Sequence, residues 1–213
     1  MKQYDDFVQA VGKGPIPNHP REWCQKYNTE LLPTPPFGGE GPWCNLHDPV
    51  GHPDAAAACI DWCDAAAYCQ WAGKRLCGAI GGGETPEAKL DDPLADEWLY
   101  VCTNGGKTKY PYGDTLDTTK CNQSSELRES VFAHPECTGV ESPFSEVVNL
   151  QFAAPAGRAE YAGVAESMGK DGVPRRIARG RGWYSTGPAW TCFEWGTVRP
   201  AGSLGGSFRC CGD

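Results

Sequence analysis

Residues 59–76 read Cys-Ile-Asp-Trp-Cys-Asp-Ala-Ala-Ala-Tyr-Cys-Gln-Trp-Ala-Gly-Lys-Arg-Leu, and this stretch decides the fold. Its apolar residues recur at helical spacing, which predicts an α-helix over 61–73. Asp61 suits the N-cap, and Gly73 stands where a glycine commonly ends a helix. The apolar face, which we expect to pack on a sheet, consists of Trp62, Ala65, Ala66, Cys69 and Ala72.

The pattern outside this helix is mostly that of loops. Tyr4 to Val11 predicts a short amphipathic helix and Glu97 to Cys102 a shorter helical segment, whereas residues 12–58 read as irregular. From Asn104 onward, turn residues recur every few positions and predict short strands between long loops. The chain has 27 Gly and 18 Pro, without a repeat or a linker to mark a boundary, so one loop-rich domain is expected.

Composition and charge exclude several classes of protein. Hydrophobic residues make up 40% of the chain, which is enough to form a core and is incompatible with disorder. The formal net charge of −8 argues against a nucleic-acid partner. No apolar run approaches the roughly 18 residues that a spanning helix needs, so no membrane span is expected.

The chain contains twelve cysteines, an even number, spread over its whole length. Zinc sites usually show paired Cys-x-x-Cys knuckles, which do not occur here, so disulfides are favoured over metal clusters. Disulfides persist outside the cell, in the periplasm or at the cell surface. Because Met1 to Phe7 do not resemble an export signal, we expect residues 1–213 to be a processed piece of an exported protein.

The signature helix and several later landmarks together resemble one family, that of formylglycine-generating enzymes, or sulfatase-modifying factors. Residues 59–76 are similar to its helix pattern V-x-W-x-D-A-x-A-Y-C-x-W-A-G-K-R-L. Arg179-Gly180-Arg181-Gly182-Trp183 resembles the family's R-G-G-S-W/Y stretch, and Gly206 to Cys210 its closing motif. Between them, in the family's order, lie Glu97 to Cys102, Tyr110-Pro111-Tyr112-Gly113 and Cys121-Asn122.

The resemblance implies an α+β, C-type-lectin-like domain with a small antiparallel sheet, few helices and multiple disulfides. It runs from about Gln3 to Cys210. On this basis residues 1–213 form a single sulfatase-modifying-factor-like domain that lacks the family's first N-terminal strands.

The resemblance also implies where the family's chemistry would lie. Its enzymes oxidise a substrate cysteine to formylglycine and bind copper(I) through two thiolates shortly after the R-G-G-S-Y stretch. In this chain the two positions fall near Ser185 and Trp190, and only Cys192 is nearby. A hydroxyl and an indole cannot replace two thiolates as copper(I) ligands. The sequence therefore predicts no catalytic residues of this kind and no bound copper.

The family's disulfides pair the cysteines that match Cys69 with Cys210 and Cys102 with Cys192, which gives Cys192 a structural role. The other eight cysteines can be paired so that most of the loops closed by the disulfides are short and every cysteine is used once. The pairings expected on that basis are Cys24–Cys44, Cys59–Cys211, Cys63–Cys77 and Cys121–Cys137.

Calcium is the second cofactor that the resemblance implies. Asn122 matches the asparagine of one family site, and Gln123 is a candidate carbonyl ligand. A second site usually has G-N-x-x-E-W; this chain keeps the asparagine, Asn149, but not the glutamate. The alternative for Asn122 is an asparagine that caps a turn.

The sequence contains one acidic and one basic cluster. The acidic group is expected to be a loop followed by a helix N-terminus rather than a pair of catalytic carboxylates, and it consists of Asp91, Asp92, Asp96 and Glu97. The basic cluster could receive an anionic ligand or pair with surface carboxylates. It consists of Arg175, Arg176, Arg179 and Arg181.

Two classes of function remain open. We favour a noncatalytic binding or structural module that recognises a partner protein, a peptide or a glycan through long loops, with assembly onto a partner chain or into an oligomer also open. The alternative is an oxidoreductase of the same family that acts on protein cysteine with altered residues. Candidate binding residues, all near the missing thiol pair, are Trp183, Tyr184, Trp190, Phe193 and Trp195.

Overall fold

A computed structural model describes residues 1–14, 19, 22–27, 31, 49–57, 60–121, 130–137, 160–161, 167–168, 174–180, 191–198 and 207–212. Within these ranges the chain forms short helices and strands joined by long connections. The helices are α1 (Lys2–Val11), α2 (Glu22–Tyr27), α3 (Trp62–Trp71) and α4 (Glu97–Cys102), with a 3-10 turn at Glu87–Lys89. The strands are β1 (Arg75–Leu76), β2 (Glu160–Tyr161), β3 (Ser167–Met168), β4 (Pro174–Arg179), β5 (Trp195–Val198), β6 (Ser207–Phe208) and β7 (Cys210–Cys211).

Helix α3 begins and ends as its sequence predicts. The Asp61 side chain accepts a hydrogen bond from the Asp64 backbone N–H at 2.9 Å, which is an N-cap contact. At the other end, the N–H of Lys74 donates to the carbonyl of Cys69, and that of Gly73 donates to Gln70. This Schellman motif needs a left-handed residue, and Gly73 supplies it with a φ of 71°.

Burial of α3 is broader than one face. Trp62, Ala65 and Cys69 are buried as expected, but Asp64 is buried too, and Ala72, placed on the apolar face by its spacing, is exposed. The helix is surrounded by other elements over most of its length. Ala72 escapes burial because it lies beyond the last helical turn.

Helix α1 packs against α3 through aromatic side chains. The predicted helix over Tyr4 to Val11 is present and starts two residues earlier, at Lys2. The ring of Phe7 lies 5.6 Å from that of Tyr68 and 5.5 Å from that of Trp71, centroid to centroid. Helix α2 lies within residues 12–58, which the sequence analysis read as irregular, and the prediction was wrong at that point.

Strand β4 is the centre of the larger sheet. It pairs antiparallel with β5, β2 and β3, and the register with β5 places Arg176 opposite Val198 and Arg179 opposite Trp195. β2 also pairs with β6, in parallel. The predicted antiparallel sheet is therefore present, with one parallel pair that the sequence did not indicate.

The two faces of β4 pack against different parts of the molecule, because successive residues of a strand point to opposite faces. Ala178 joins the core cluster that α1, α2 and α3 build, and we call this face the helix side. Ile177 packs on Leu90, and the Arg179 guanidinium lies near Trp98 of α4, so the opposite face is called the α4 side.

The described disulfides confirm three of the expected pairings and correct three others. Cys69–Cys210, Cys102–Cys192 and Cys121–Cys137 are present. Cys24 pairs with Cys63 and Cys77 with Cys211, so Cys24–Cys44, Cys63–Cys77 and Cys59–Cys211 were wrong. Cys44 and Cys59 lie outside the described residues.

Strand geometry explains the largest correction. β1 pairs with β7, so Leu76 lies opposite Cys210 and Arg75 opposite Cys211. Neighbouring strand residues point to opposite faces, and the two adjacent cysteines therefore reach different partners. Cys210 reaches α3, and Cys211 reaches Cys77, which follows β1 directly. The preference for short loops favoured Cys63–Cys77 and left Cys59 for Cys211, because loop length takes no account of which strand lies beside Cys77.

The expected fold class is confirmed: the chain is a loop-rich α+β domain with few helices, small antiparallel sheets and several disulfides. Among the described residues, no helix has the length and apolarity needed to cross a membrane. The number of disulfides accords with an oxidising compartment.

Candidate functional site

The segment that would carry the family chemistry connects β4 to β5. Gly180 follows the last residue of β4 and has a φ of 68°. Its N–H donates to the carbonyl of Glu194 at 3.0 Å, and this hydrogen bond links the end of β4 to the residue before β5. A Cβ on Gly180 would lie 3.7 Å from the Trp98 ring. The following residues 181–190 lie outside the described residues, and with them Arg181, Trp183, Tyr184, Ser185 and Trp190.

Cys192, the cysteine closest in sequence to the expected thiol positions, is engaged in a disulfide. Its sulfur is bonded to that of Cys102 at the end of α4, and its N–H donates to the carbonyl of Lys109 at 2.8 Å. Both cysteines are buried. A disulfide sulfur carries no thiolate charge, so Cys192 in this state is not a copper(I) ligand.

The two described members of the predicted binding set have different surroundings. Phe193 is half-buried against the α4 cluster, which also contains Trp98, Leu99 and Cys102. Trp195 is 39% exposed at the start of β5. Its indole N–H donates to the carboxylate of Asp91 at 3.1 Å. Phe193 therefore anchors the hairpin, and Trp195 presents an aromatic surface.

Two members of the predicted basic cluster lie in the interior, whereas Arg175 is half-buried and Arg181 lies outside the described residues. Arg176 and Arg179 are fully buried rather than paired on the surface. Arg176 lies on the helix side, with its guanidinium carbon 4.7 Å from the ring centroid of Trp23 and 4.1 Å from that of Trp62. Its Nη1 is 3.2 Å from Glu84. Aromatic faces and a carboxylate together replace its hydration.

Arg179 holds the α4 side together through a buried ion pair. Its Nη2 lies 3.0 Å from the Asp96 carboxylate and donates to the Leu90 carbonyl at 2.8 Å. Asp96 also accepts from the hydroxyl of Thr85 and from the N–H of Leu99, the latter as the N-cap of α4. Nε and Nη1 of Arg179 find no acceptor among the described residues.

A second ion pair lies at the first residue of α4. The two Nη atoms of Arg75 donate to the two carboxylate oxygens of Glu97 at 2.7 and 2.8 Å, and the N–H of Gly78 donates to Glu97 as well. Glu97 is fully buried. The acidic group of residues 91–97 thus divides as predicted into a loop and a helix N-terminus. The role of Asp96 and Glu97 as partners of two arginines was missed, because nothing in the sequence relates them to positions 75 and 179.

The ranges that the structure describes contain one cluster of three or more side chains that could ligate a metal ion. Three potential ligand atoms, from Cys77, Cys211 and Glu97, lie within 4.8 Å of one another. The two cysteines form a disulfide and Glu97 is bound by Arg75, so these groups do not fit a cation. The expected calcium ligands Asn122, Gln123 and Asn149 lie outside the described residues, and calcium binding there stays a prediction.

Comparison with known proteins adds the family. The model of the sulfatase-modifying factor enzyme 1-like domain matches residues 1–186, which is most of the chain and includes α3, α4 and β4. A search of curated proteins gave no match. Helix α3, the Cys69–Cys210 and Cys102–Cys192 disulfides and this match agree. The chain belongs to the sulfatase-modifying factor, or formylglycine-generating enzyme, family.

Proposed function

We propose that this chain is a noncatalytic binding or structural module of an exported protein, built on the family scaffold. The observation that carries the proposal is the Cys102–Cys192 disulfide. It engages the cysteine closest to the family's thiol positions, which hold Ser185 and Trp190 in this sequence. The module would recognise a partner protein, a peptide or a glycan.

The chemistry of copper(I) supports this proposal. Copper(I) is a soft ion that prefers thiolate and thioether sulfur, and a serine hydroxyl offers only a hard oxygen. Every cysteine in the described part of the chain belongs to a disulfide. Cys44 and Cys59 lie more than a hundred residues from Ser185 in the sequence. These observations support the proposal that the thiolate pair required for the oxidation of a substrate cysteine is absent at its place in the chain.

The architecture supports the binding half of the proposal. Binding residues commonly lie on loops that a rigid scaffold positions. Here two disulfides tie β7 to the body of the domain, a third ties the end of the β4–β5 connection to α4, and long connections leave this framework. At the end of that connection, Trp195 offers exposed aromatic surface.

Copper(I) titration under anaerobic conditions tests the proposal. The protein with intact disulfides is titrated anaerobically against a competing copper(I) chelator. In a second step it is mixed with a cysteine-containing sulfatase peptide in air-saturated buffer while oxygen uptake is recorded. We expect no copper uptake in competition with the chelator and no oxygen uptake that depends on the cysteine of the peptide. Stoichiometric tight binding together with peptide-dependent oxygen uptake would establish the oxidoreductase alternative instead.

A matched variant shows whether the assay can detect the missing pair. In the double variant Ser185→Cys/Trp190→Cys, two thiols stand at the family positions, and copper(I) uptake is expected to rise to about one ion per chain because two thiolates suffice for this ion. Peptide mapping under non-reducing conditions must first show the Cys102–Cys192 disulfide intact and both introduced thiols free, because thiol–disulfide exchange would leave the total number of free thiols unchanged.

A further inference from the structure

Trp195 and the loop beneath it form a surface that the family chemistry does not explain. Trp195 is exposed over 39% of its surface, and its backbone pairs with that of Arg179 on β4. The hydrogen bond from its indole N–H to Asp91 fixes the orientation of the ring. A fixed indole with open surface is therefore available to a ligand.

The loop of residues 87–92, which carries Asp91, has an excess of negative charge. Glu87 and Asp91 are exposed and Asp92 is half-buried, whereas the one cation of this stretch, Lys89, is bound to Asp92 at 3.0 Å. The hydrogen bonds that Asp92 accepts from Lys89 and from the N–H of Leu94 lower the pKa of its carboxyl below the ordinary value. Asp92 is therefore already paired with Lys89, and the carboxylate beside the indole that is left to attract a cationic ligand is that of Asp91.

Leu94 adds apolar surface to the same loop. It is 68% exposed in the turn that follows Asp91 and Asp92. We call the surface formed by the Trp195 ring and the Asp91 carboxylate that it contacts the Trp195 patch. It combines an aromatic ring and a carboxylate, the groups that contact the guanidinium of an arginine side chain.

We propose that the Trp195 patch binds an arginine-bearing segment of a partner protein, with the guanidinium stacked on the indole and paired with Asp91. This inference rests on the proposed binding function and gives its partner a chemistry. Arg176 shows the same contact in the interior, where a guanidinium lies 4.1 Å from the centroid of an indole ring. Arginine is favoured over lysine because its planar, weakly hydrated cation stacks on aromatic faces.

Charge complementarity selects this ligand over a neutral glycan. The chain carries a net charge of −8, and the loop that supports Trp195 contributes three carboxylates against one lysine. A neutral sugar gains nothing from this excess, whereas a cation is attracted to it at low ionic strength. Binding at the patch should therefore weaken as salt is added.

The experiment uses the full chain and a fluorescently labelled Gly/Ser peptide that carries two arginines, with fluorescence anisotropy as the readout. The control peptide has citrulline in place of both arginines. We expect the arginine peptide to bind and the citrulline peptide to bind at least about threefold more weakly, the factor that an exposed cation–π contact supports. A neutral hexose oligomer should not compete.

Two substitutions separate the ring from the charge. Trp195→Ala removes the stacking surface, and Asp91→Asn removes the charge while its amide oxygen still accepts the indole N–H. Each is expected to raise the Kd for the arginine peptide about two- to fivefold. Phe132→Ala is the control, since Phe132 is 63% exposed on another loop and its loss should leave the Kd unchanged.

Several outcomes would overturn this assignment. They are no measurable binding of the arginine peptide, equal binding of the citrulline peptide, an unchanged Kd in Trp195→Ala, and competition by the hexose oligomer. None of them touches the proposed noncatalytic function, which fails only if the protein takes up copper(I) and oxidises peptide cysteine.

Discussion

The two faces of strand β4 each bury an arginine, and they do so by different means. On the helix side, Arg176 lies over two neighbouring indoles and pairs with Glu84, whose side chain is 29% exposed. On the α4 side, Arg179 pairs with Asp96, which has no exposed surface. Three positions apart on one strand, one cation is held mainly by aromatic rings and the other by a buried counterion.

The difference teaches how each region will respond to a lost partner. A partly exposed carboxylate such as Glu84 regains water when its arginine is removed, whereas a fully buried one does not. The helix side also has a larger aromatic and aliphatic core to share the strain. The α4 side therefore depends on its charges, and the helix side depends on its packing.

The largest effect is expected from Asp96→Asn. Asparagine caps a helix as well as aspartate does, so the hydrogen bond from Leu99 is retained, while the charge opposite Arg179 and the acceptor of the Thr85 hydroxyl are lost. Breaking a buried pair on one side leaves an uncompensated charge and costs about 3–5 kcal/mol. Urea denaturation at neutral pH measures the free energy of unfolding.

Asp6→Asn on α1 is the control for that measurement. Its pair with Lys2 lies on the surface, with 48% of the Asp6 side chain exposed, so the free energy of unfolding should change by less than about 0.5 kcal/mol. Equal costs at Asp96 and Asp6 would show that the α4 side does not depend on its buried charge.

The next effect is expected from Arg176→Met. Methionine keeps much of the packing against Trp23 and Trp62, but the cation–π contacts and the ion pair with Glu84 are lost. A desolvated cation–π contact contributes about 2 kcal/mol, and Glu84 can regain water, so a loss of about 2 kcal/mol is expected. The same denaturation series measures it. A cost larger than that of Asp96→Asn would reverse the proposed order of the two sides.

The smallest effect at neutral pH is expected from Tyr4→Phe on the helix side. The hydroxyl of Tyr4 donates to the Leu31 carbonyl at 2.8 Å, and its loss should cost about 1 kcal/mol. Burial, together with the nearby carboxylates of Asp64 and Asp61, raises the pKa of Tyr4 above its ordinary value. The variant therefore also changes how stability depends on pH.

The sign of that dependence follows from proton binding. Above pH 10 the unfolded chain ionises Tyr4 while the folded chain keeps it protonated, so stability is fully present below that pH and falls as pH rises, by up to about 1.4 kcal/mol per pH unit. Burial raises the pKa of Tyr68 as well, so a smaller slope remains in Tyr4→Phe. Unfolding measured from pH 9 to 11 should show the shallower slope, and identical slopes would contradict the assignment.

Local patterns predicted much of this fold. Helix α4 was predicted with its observed ends, and α3 with its N-cap, because periodicity and caps depend on neighbouring residues. Three disulfide pairings were also correct, two of them through the resemblance to the family. Helix α2 was missed because it lies within residues 12–58, where turn residues obscure the pattern of a short helix.

The candidate site was predicted less completely. Trp195 was selected for its residue type, but Asp91, which orients its ring, was read only as part of a loop. Phe193 was selected on the same grounds and is half-buried. Residue type indicates that an aromatic side chain suits a binding surface, and only packing decides whether its ring is exposed.

The sequence by itself determined the family, the main helices with their caps and the disulfide-rich class. These features follow from short-range chain geometry or from the identity of a residue at one position. The tertiary structure alone decided that Cys211 pairs with Cys77, that Arg176 and Arg179 are buried on opposite faces of one strand, and that Trp195 lies on Asp91. The contacts Cys77–Cys211, Arg176–Glu84 and Trp195–Asp91 join residues that are at least 92 positions apart in the sequence. The burial of the two arginines depends on which face of the strand meets which layer. The chain acquires such neighbours only when its elements pack.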